Sequence, residues 1–216
     1  MDGDLMKYNK SIKYSWIDVE TYNLNLSFKF NRPWSIGIIN VKGNEILEEK
    51  QICLDWSKVA PELKIGVEAA YITHFNELEH KKVALQPEEA FWMFWNDLKN
   101  ADFICGHNIL RFDIYLLRGY AEYMGEDWKW IVPKIIDTKA IAQGWKMGIP
   151  YTKNQGDFLE YEYKYANAHV KGIKTSLGVL AKEFGIETDE GKLHSAIYDL
   201  SINKQVFDKL KYLIEL

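Results

Sequence analysis

The six residues Trp16-Ile17-Asp18-Val19-Glu20-Thr21 constrain this chain more than any other stretch. Ile17 and Val19 alternate with Asp18 and Glu20. This is the period-two pattern of a β-strand, and it puts both carboxylates on one face with Cα atoms roughly 7 Å apart. A first strand ordinarily spends such positions on burial. Like charges about 4 Å apart repel by about 4 kcal/mol at an effective dielectric of about 20. Either the strand is half-exposed and its acids face water, or something compensates them, and a divalent cation is the usual agent.

The chain has 216 residues, enough for one sizeable α/β core and short for two. The expectation is a loose N-terminal segment over 1–13 and a single domain over 14–216, with no repeat, linker or low-complexity tract. No apolar run is long enough to span a bilayer, and residues 1–13 are too polar and charged for a signal peptide. Cys53 and Cys105 lie within apolar runs, which argues against a disulfide framework and fits a reducing, intracellular setting, cytoplasmic or nucleoid-associated. The net charge of −4 does not advertise a basic nucleic-acid surface. That counts against a protein that coats nucleic acid, and less against an enzyme that grips one strand end.

Residues 34–41 and 46–54, joined by the turn 42–45, extend the first strand into an antiparallel meander. Residues 22–33 connect the first two strands near the Asp18/Glu20 end. Pro87 opens a helix over 87–100, with Glu88 and Glu89 in its first turn and Ala90, Phe91, Phe94, Trp95 and Leu98 on its apolar face. A short strand over 103–106 precedes a helix over about 109–124. Ile135 and Ile136 form another short strand, ending in Asp137-Thr138. Residues 145–174 read as an insert, in which Tyr161, Tyr163 and Tyr165 alternate with Glu160, Glu162 and Lys164 in the manner of a β-ribbon. Ser176 caps a helix that Gly185 closes, and the last helix runs over about 195–213.

Three patches carry chemistry: Asp18-Val19-Glu20-Thr21, then Gly106-His107-Asn108-Ile109-Leu110-Arg111-Phe112-Asp113, then His194-Ser195-Ala196-Ile197-Tyr198-Asp199. Read one at a time, Asp113 and Asp199 are ordinary helix-start acids and His194 is a surface or N-cap histidine. Together, in the order D-x-E, H-N-x3-F-D, H-x4-D, they resemble the DEDDh group of DnaQ-like 3′–5′ exonucleases, within the RNase H-like superfamily. The likeness runs from about residue 16 to 213 and takes in residues 69–75 in the place of the family's linker helix. A related branch uses a tyrosine base four residues before the last acid. Position 195 is Ser and His194 stands five before Asp199, so the histidine branch fits.

The resemblance implies an α/β, RNase H-like fold: a mixed five-stranded sheet, the antiparallel meander first and parallel strands after it, with helices on both faces. It implies hydrolysis of phosphodiester bonds from the 3′ end with two Mg²⁺ ions, Mn²⁺ substituting. Hard cations take oxygen ligands, and Mg²⁺ uses few carboxylates while keeping water and substrate oxygens. In that scheme Asp18 bridges both ions, Glu20 and Asp199 hold the ion that activates water, and Asp113 completes the second site. His194 is the general base, since an imidazole titrates near ~6.5. Residues 194 and 199 are about 140° apart around a helix, which sets His194 in the segment before it.

Thr21 and Tyr22 map to the positions that hold the terminal nucleotide in the family. Phe75 either stacks on a base or packs in the core. Asn108 either caps a helix, the favoured reading, or touches substrate. His107 is structural, and Asp137 is a turn acid that fixes backbone. Tyr161, Tyr163, Tyr165, Lys171 and Lys174 combine into a single-strand platform or a self-packed ribbon. The implied partner is a nucleic-acid 3′ end, single-stranded DNA ahead of RNA, with a polymerase or other replication or repair protein in trans and no membrane. The competing readings are an exoribonuclease on short RNA, an RNase H-like endonuclease and a catalytically idle nucleic-acid-binding module.

Overall fold

The computed structural model describes residues 9–189, 191–192 and 195–215. β1 (Lys13–Thr21), β2 (Pro33–Lys42) and β3 (Glu45–Cys53) form the antiparallel meander. Then follow α1 (Val67–Ile72), α2 (Glu77–Val83), α3 (Pro87–Asn100), β4 (Phe103–Gly106), α4 (Asp113–Tyr123), β5 (Ile135–Asp137), α5 (Thr138–Lys146), α6 (Phe158–Ala166), α7 (Leu177–Glu183) and α8 (Ala196–Leu210). The sheet order is β3-β2-β1-β4-β5, with β4 parallel to β1 and β5 parallel to β4. This is the mixed five-stranded sheet that the sequence predicts.

The pleat of β1 divides the core. Ile17 and Val19 pair with Ile38 and Ile36 and pack against Phe91, Phe94 and Trp95 of α3. Tyr14 and Trp16 point the other way with Ile39 and Val41, beneath Leu200, Val206, Phe207 and Leu210 of α8. The Trp16 and Phe207 rings meet edge-on at 5.5 Å. Asp18 and Glu20 continue this second face just where α8 begins. Directly across from Asp18, β2 carries Gly37. A Cβ there would stand 2.7 Å from the Ala196 Cβ, so the missing side chain lets the first turn of α8 close on the sheet.

Three local expectations are corrected. The helix predicted from residue 109 begins at Asp113, because the Asp137 carboxylate takes the N–H groups of Asn108 (3.0 Å) and Leu110 (3.1 Å) and holds a tight turn first. Ser176 precedes α7 but makes no side-chain cap bond. Residues 158–166 are helical, not a ribbon. Asp157 accepts from the N–H groups of Leu159 and Glu160, and Tyr161, Glu162 and Tyr165 bury at helical spacing while Tyr163 stays on the surface. The tyrosine alternation fits either period, and the cap together with the buried 3–4 spacing decides it. Tyr161 and Tyr165 are core, so the predicted aromatic platform loses two of its three rings.

Candidate active site

β1 outruns its parallel neighbour. Its last pair with β4 is Trp16 and Cys105, so the Val19 N–H beyond that point has no strand partner on the β4 side. Asp113, the first residue of α4, supplies one: its Oδ1 accepts from the Val19 N–H at 3.1 Å. The turn that delivers Asp113 is held from below. Asp137 ends β5 and accepts from four backbone N–H groups, those of Asn108, Leu110, Lys139 and Ala140. Asp137 is thus the backbone-fixing acid that the sequence suggests. Its own N–H donates to Oε1 of the fully buried Glu162 at 2.6 Å. From the opposite side, α8 brings Asp199 within electrostatic reach of Asp18 and Glu20.

Burial, and then Asp199, pushes the Asp18 carboxyl up to about 7. Burial, then Asp18 and Asp199, pushes Glu20 up to about 8. Asp113 is raised well above the usual carboxylate range, by burial first and Asp18 second. Four carboxylates therefore crowd one sheet edge, and near neutral pH Asp18 and Glu20 favour protons or a cation. Their donors are all hard oxygens. Among the described residues no three His, Cys, Asp or Glu side chains form a ready-made cage. Hard oxygen donors suit a hard divalent cation, whose shell water and phosphate oxygens can complete. The carboxylates fit a divalent cation.

Of the predicted site residues, Asp18, Glu20, Asp113 and Asp199 come together as described. His194 lies outside the described residues. Ser195 and Ala196 beside it line a groove of about 350 Å³ with Glu20, Trp34, Thr73 and Phe75. A second groove of about 320 Å³ includes Tyr22, Trp56, Phe75 and His80. Phe75 stands between the two, packed edge-on against Trp34 at 4.9 Å and tilted against His80 at 5.1 Å. Thr21 turns its hydroxyl to the carbonyl of Asn23 at 2.6 Å.

Asn108 does not cap α4, whose capping position is Phe112. It sits instead at φ +68 and takes the Lys139 ammonium on Oδ1 at 3.0 Å. His107 bonds Thr138 Oγ1 through Nδ1 at 3.0 Å, and burial pushes its imidazole down to about 4, which keeps it neutral and structural. Sequence reasoning missed Lys139 and Glu162. The one signal for Lys139 was its place directly after Asp137-Thr138. Glu162 had none, hidden in a run of alternating tyrosines and charges.

These features define an exonuclease-type site on an RNase H-like fold. The chain belongs to the exonuclease family, whose RNase T model matches residues 15–207, and it is DnaQ-like, as the motif order implies. Solved structures of Exonuclease I share the fold. The Escherichia coli enzyme in complex with a dT13 oligonucleotide matches with a TM-score of 0.67 at 18% identity, over 93% of this chain and 41% of that one. A zinc-bound form of its complex with single-stranded DNA gives 0.71 at 17% identity, over 94% and 41%. The moderately thermophilic enzyme of Methylocaldum szegediense gives 0.68 at 17% identity, over 93% and 40%. The chain thus spans about two fifths of the length of these relatives. No curated protein sequence matches it. Among the described residues no helix is long and apolar enough to cross a membrane.

Proposed function

We propose that this protein removes nucleotides one at a time from the 3′ end of single-stranded or frayed DNA, releasing nucleoside 5′-monophosphates. The observation that carries the reading is the electrostatic coupling that links Asp18, Glu20, Asp113 and Asp199, with Glu20 also lining a groove of about 350 Å³. These four would hold two Mg²⁺ ions, with Mn²⁺ substituting. When bound, such ions supply an activated water, charge relief on the phosphate and help for the leaving oxygen. His194 would take the proton from the attacking water on a ring nitrogen and give it up to solvent afterwards. Phe75 and Tyr22 line the grooves where the terminal base and sugar would lie. The preference for DNA draws on the oligodeoxynucleotides bound in the matched E. coli structures. Both cysteines are free, in keeping with the reducing, cytoplasmic setting we assign.

The test is degradation of matched 5′-labelled single-stranded DNA and RNA with Mg²⁺, Mn²⁺ or EDTA, alongside circular single strands. Stepwise shortening of DNA from the 3′ end, abolished by EDTA, is expected. Faster shortening of RNA would move the assignment to an exoribonuclease, and cleavage of circles to an endonuclease.

A further inference from the structure

At the same sheet edge as the acids stands a second cluster that the proposed chemistry does not use. β1, β4 and β5 are parallel, so the segments that follow β4 and β5 emerge beside the β1 carboxylates. Neighbouring strands lie about 4.8 Å apart, which sets the end of β5 roughly 10 Å from β1. Lys139, the second residue of α5, is half-buried there. Its ammonium bonds only a neutral oxygen, Oδ1 of Asn108, and among the described residues it forms no ion pair. Four other partly buried lysines pair with acids, Lys50 with Asp97, Lys146 with Glu183, and Lys204 and Lys211 with Asp208, while Lys134 gives its ammonium to two backbone carbonyls, those of Lys99 and Ala101. The acid that acts on Lys139 is Asp137, whose carboxylate is spent on four backbone N–H groups.

A second cation adds to the first. Arg111, exposed and two residues before Asp113, makes one long bond to the Ala166 carbonyl at 3.4 Å and meets no carboxylate among the described residues. Burial disfavours the Lys139 charge and Asp137 favours it, and Arg111 lies close enough to disfavour it further. Two cations within electrostatic reach of each other, neither in an ion pair among the described residues, can take an anion in a chain of net charge −4. Asn108 fixes the arrangement: its left-handed backbone turns the side chain toward Lys139, and Asp137 locks that turn.

We propose that Lys139, oriented by Asn108 and seconded by Arg111, binds an internal phosphate of the strand being digested, upstream of the scissile bond. Roughly 10 Å exceeds one nucleotide step, so the phosphate in reach of Lys139 is an internal one and not the scissile one. The ligand class is thus a phosphodiester polymer rather than a single nucleotide. The inference rests on the exonuclease reading.

The experiment measures binding of a fluorescent oligothymidylate in EDTA across a salt series, for wild type, Lys139→Ala, Lys139→Gln and Lys139→Arg. Lys209→Ala, an exposed change on the far end of α8, serves as the control. Thermal melts report folding, and Lys139→Gln keeps a donor for Asn108 in case alanine unsettles the turn. Lys139→Ala and Lys139→Gln should bind about tenfold more weakly at low salt. The slope of log K against log salt should shrink by about 0.7, one phosphate contact on a single strand. Lys139→Arg should recover most of both. Replacing single phosphates by neutral methylphosphonates should then weaken wild type at one upstream position where Lys139→Ala loses nothing more. Folded Lys139 variants with wild-type affinity and slope would overturn the subsite while 3′ shortening by wild type left the exonuclease reading standing. Failure of wild type both to bind and to shorten any strand would overturn the two together.

Discussion

Gly37→Ala offers a direct test of how the fold places Asp199. The new Cβ would stand 2.7 Å from the Ala196 Cβ, 3.1 Å from the Ala196 carbonyl carbon and 3.3 Å from Leu200 Cδ1. Carbon atoms at contact prefer about 3.5–4.0 Å, so the start of α8 must retreat by about 1 Å. A backbone atom is among the three and cannot rotate aside. Overpacking of this kind costs about 1–3 kcal/mol. The opposing gain from stiffening the unfolded chain at a glycine is about 0.4–1 kcal/mol and is the smaller effect. At about 2–4 °C per kcal/mol for a domain of this size, Tm should fall by several degrees. Asp199 lies one helical turn beyond Ala196, so it moves away from Asp18 and Glu20 by a similar distance. Misplacement of about 1 Å at a reacting centre can lower the rate by about a hundredfold. Melting and 3′ shortening should both fall, and adding Ala196→Gly should restore part of each, with a coupling of about 0.5–3 kcal/mol. A Gly37→Ala protein with wild-type Tm and full activity would show that α8 does not depend on this contact to seat Asp199.

Asp18 and Glu20 are raised to about 7 and about 8, so in metal-free protein their protonated forms are the favoured ones. Stability tied to them is fully present below their unfolded pKa values near ~4 and is lost as pH rises through about 7 to 8. Melts in EDTA should therefore fall over that window, Asp18→Asn should flatten the fall, and a Tm in EDTA that does not drop with pH would contradict the coupling. Mg²⁺ should raise wild-type Tm near pH 7.5, by about 2.7 kcal/mol of stability at a hundredfold excess over its Kd, and should raise Asp18→Asn much less. Glu162 is also held well above the usual carboxylate range, by burial first and then by Asp137. Glu162→Gln should gain stability over wild type as pH rises above ~4.3, whereas Glu162→Ala leaves the Asp137 N–H unpaired and should cost about 1–3 kcal/mol; equal melts for the two variants would sink this account of α6.

The site was legible from sequence where chemistry needs a residue type at a fixed place on a regular element. Asp18 and Glu20 announce a strand face, and Pro87 with its two glutamates announces α3 to the residue. What escaped was set by tertiary contact. Asn108 looks like a helix cap from its neighbours, yet the carboxylate of Asp137, 29 positions away, holds it in a turn. Residues 158–166 carry a pattern that satisfies two periods at once, and the Asp157 cap with the burial of Tyr161 against α5 and of Glu162 against β5 selects the helix. Lys139 could not be singled out because its meaning lies in the acid it lacks, which no spacing records.

If the four carboxylates act as one constellation and His194 serves as the base, each of the five is indispensable. The most direct measurement is the rate of 3′ shortening of 5′-labelled single-stranded DNA by Asp18→Asn, Glu20→Gln, Asp113→Asn, Asp199→Asn and His194→Ala, each shown by melting to be folded. The account predicts that every one of the five loses at least about a hundredfold in rate, because residues that act as a unit fail singly. A folded variant among the four acids that still shortens DNA at the wild-type rate would contradict it.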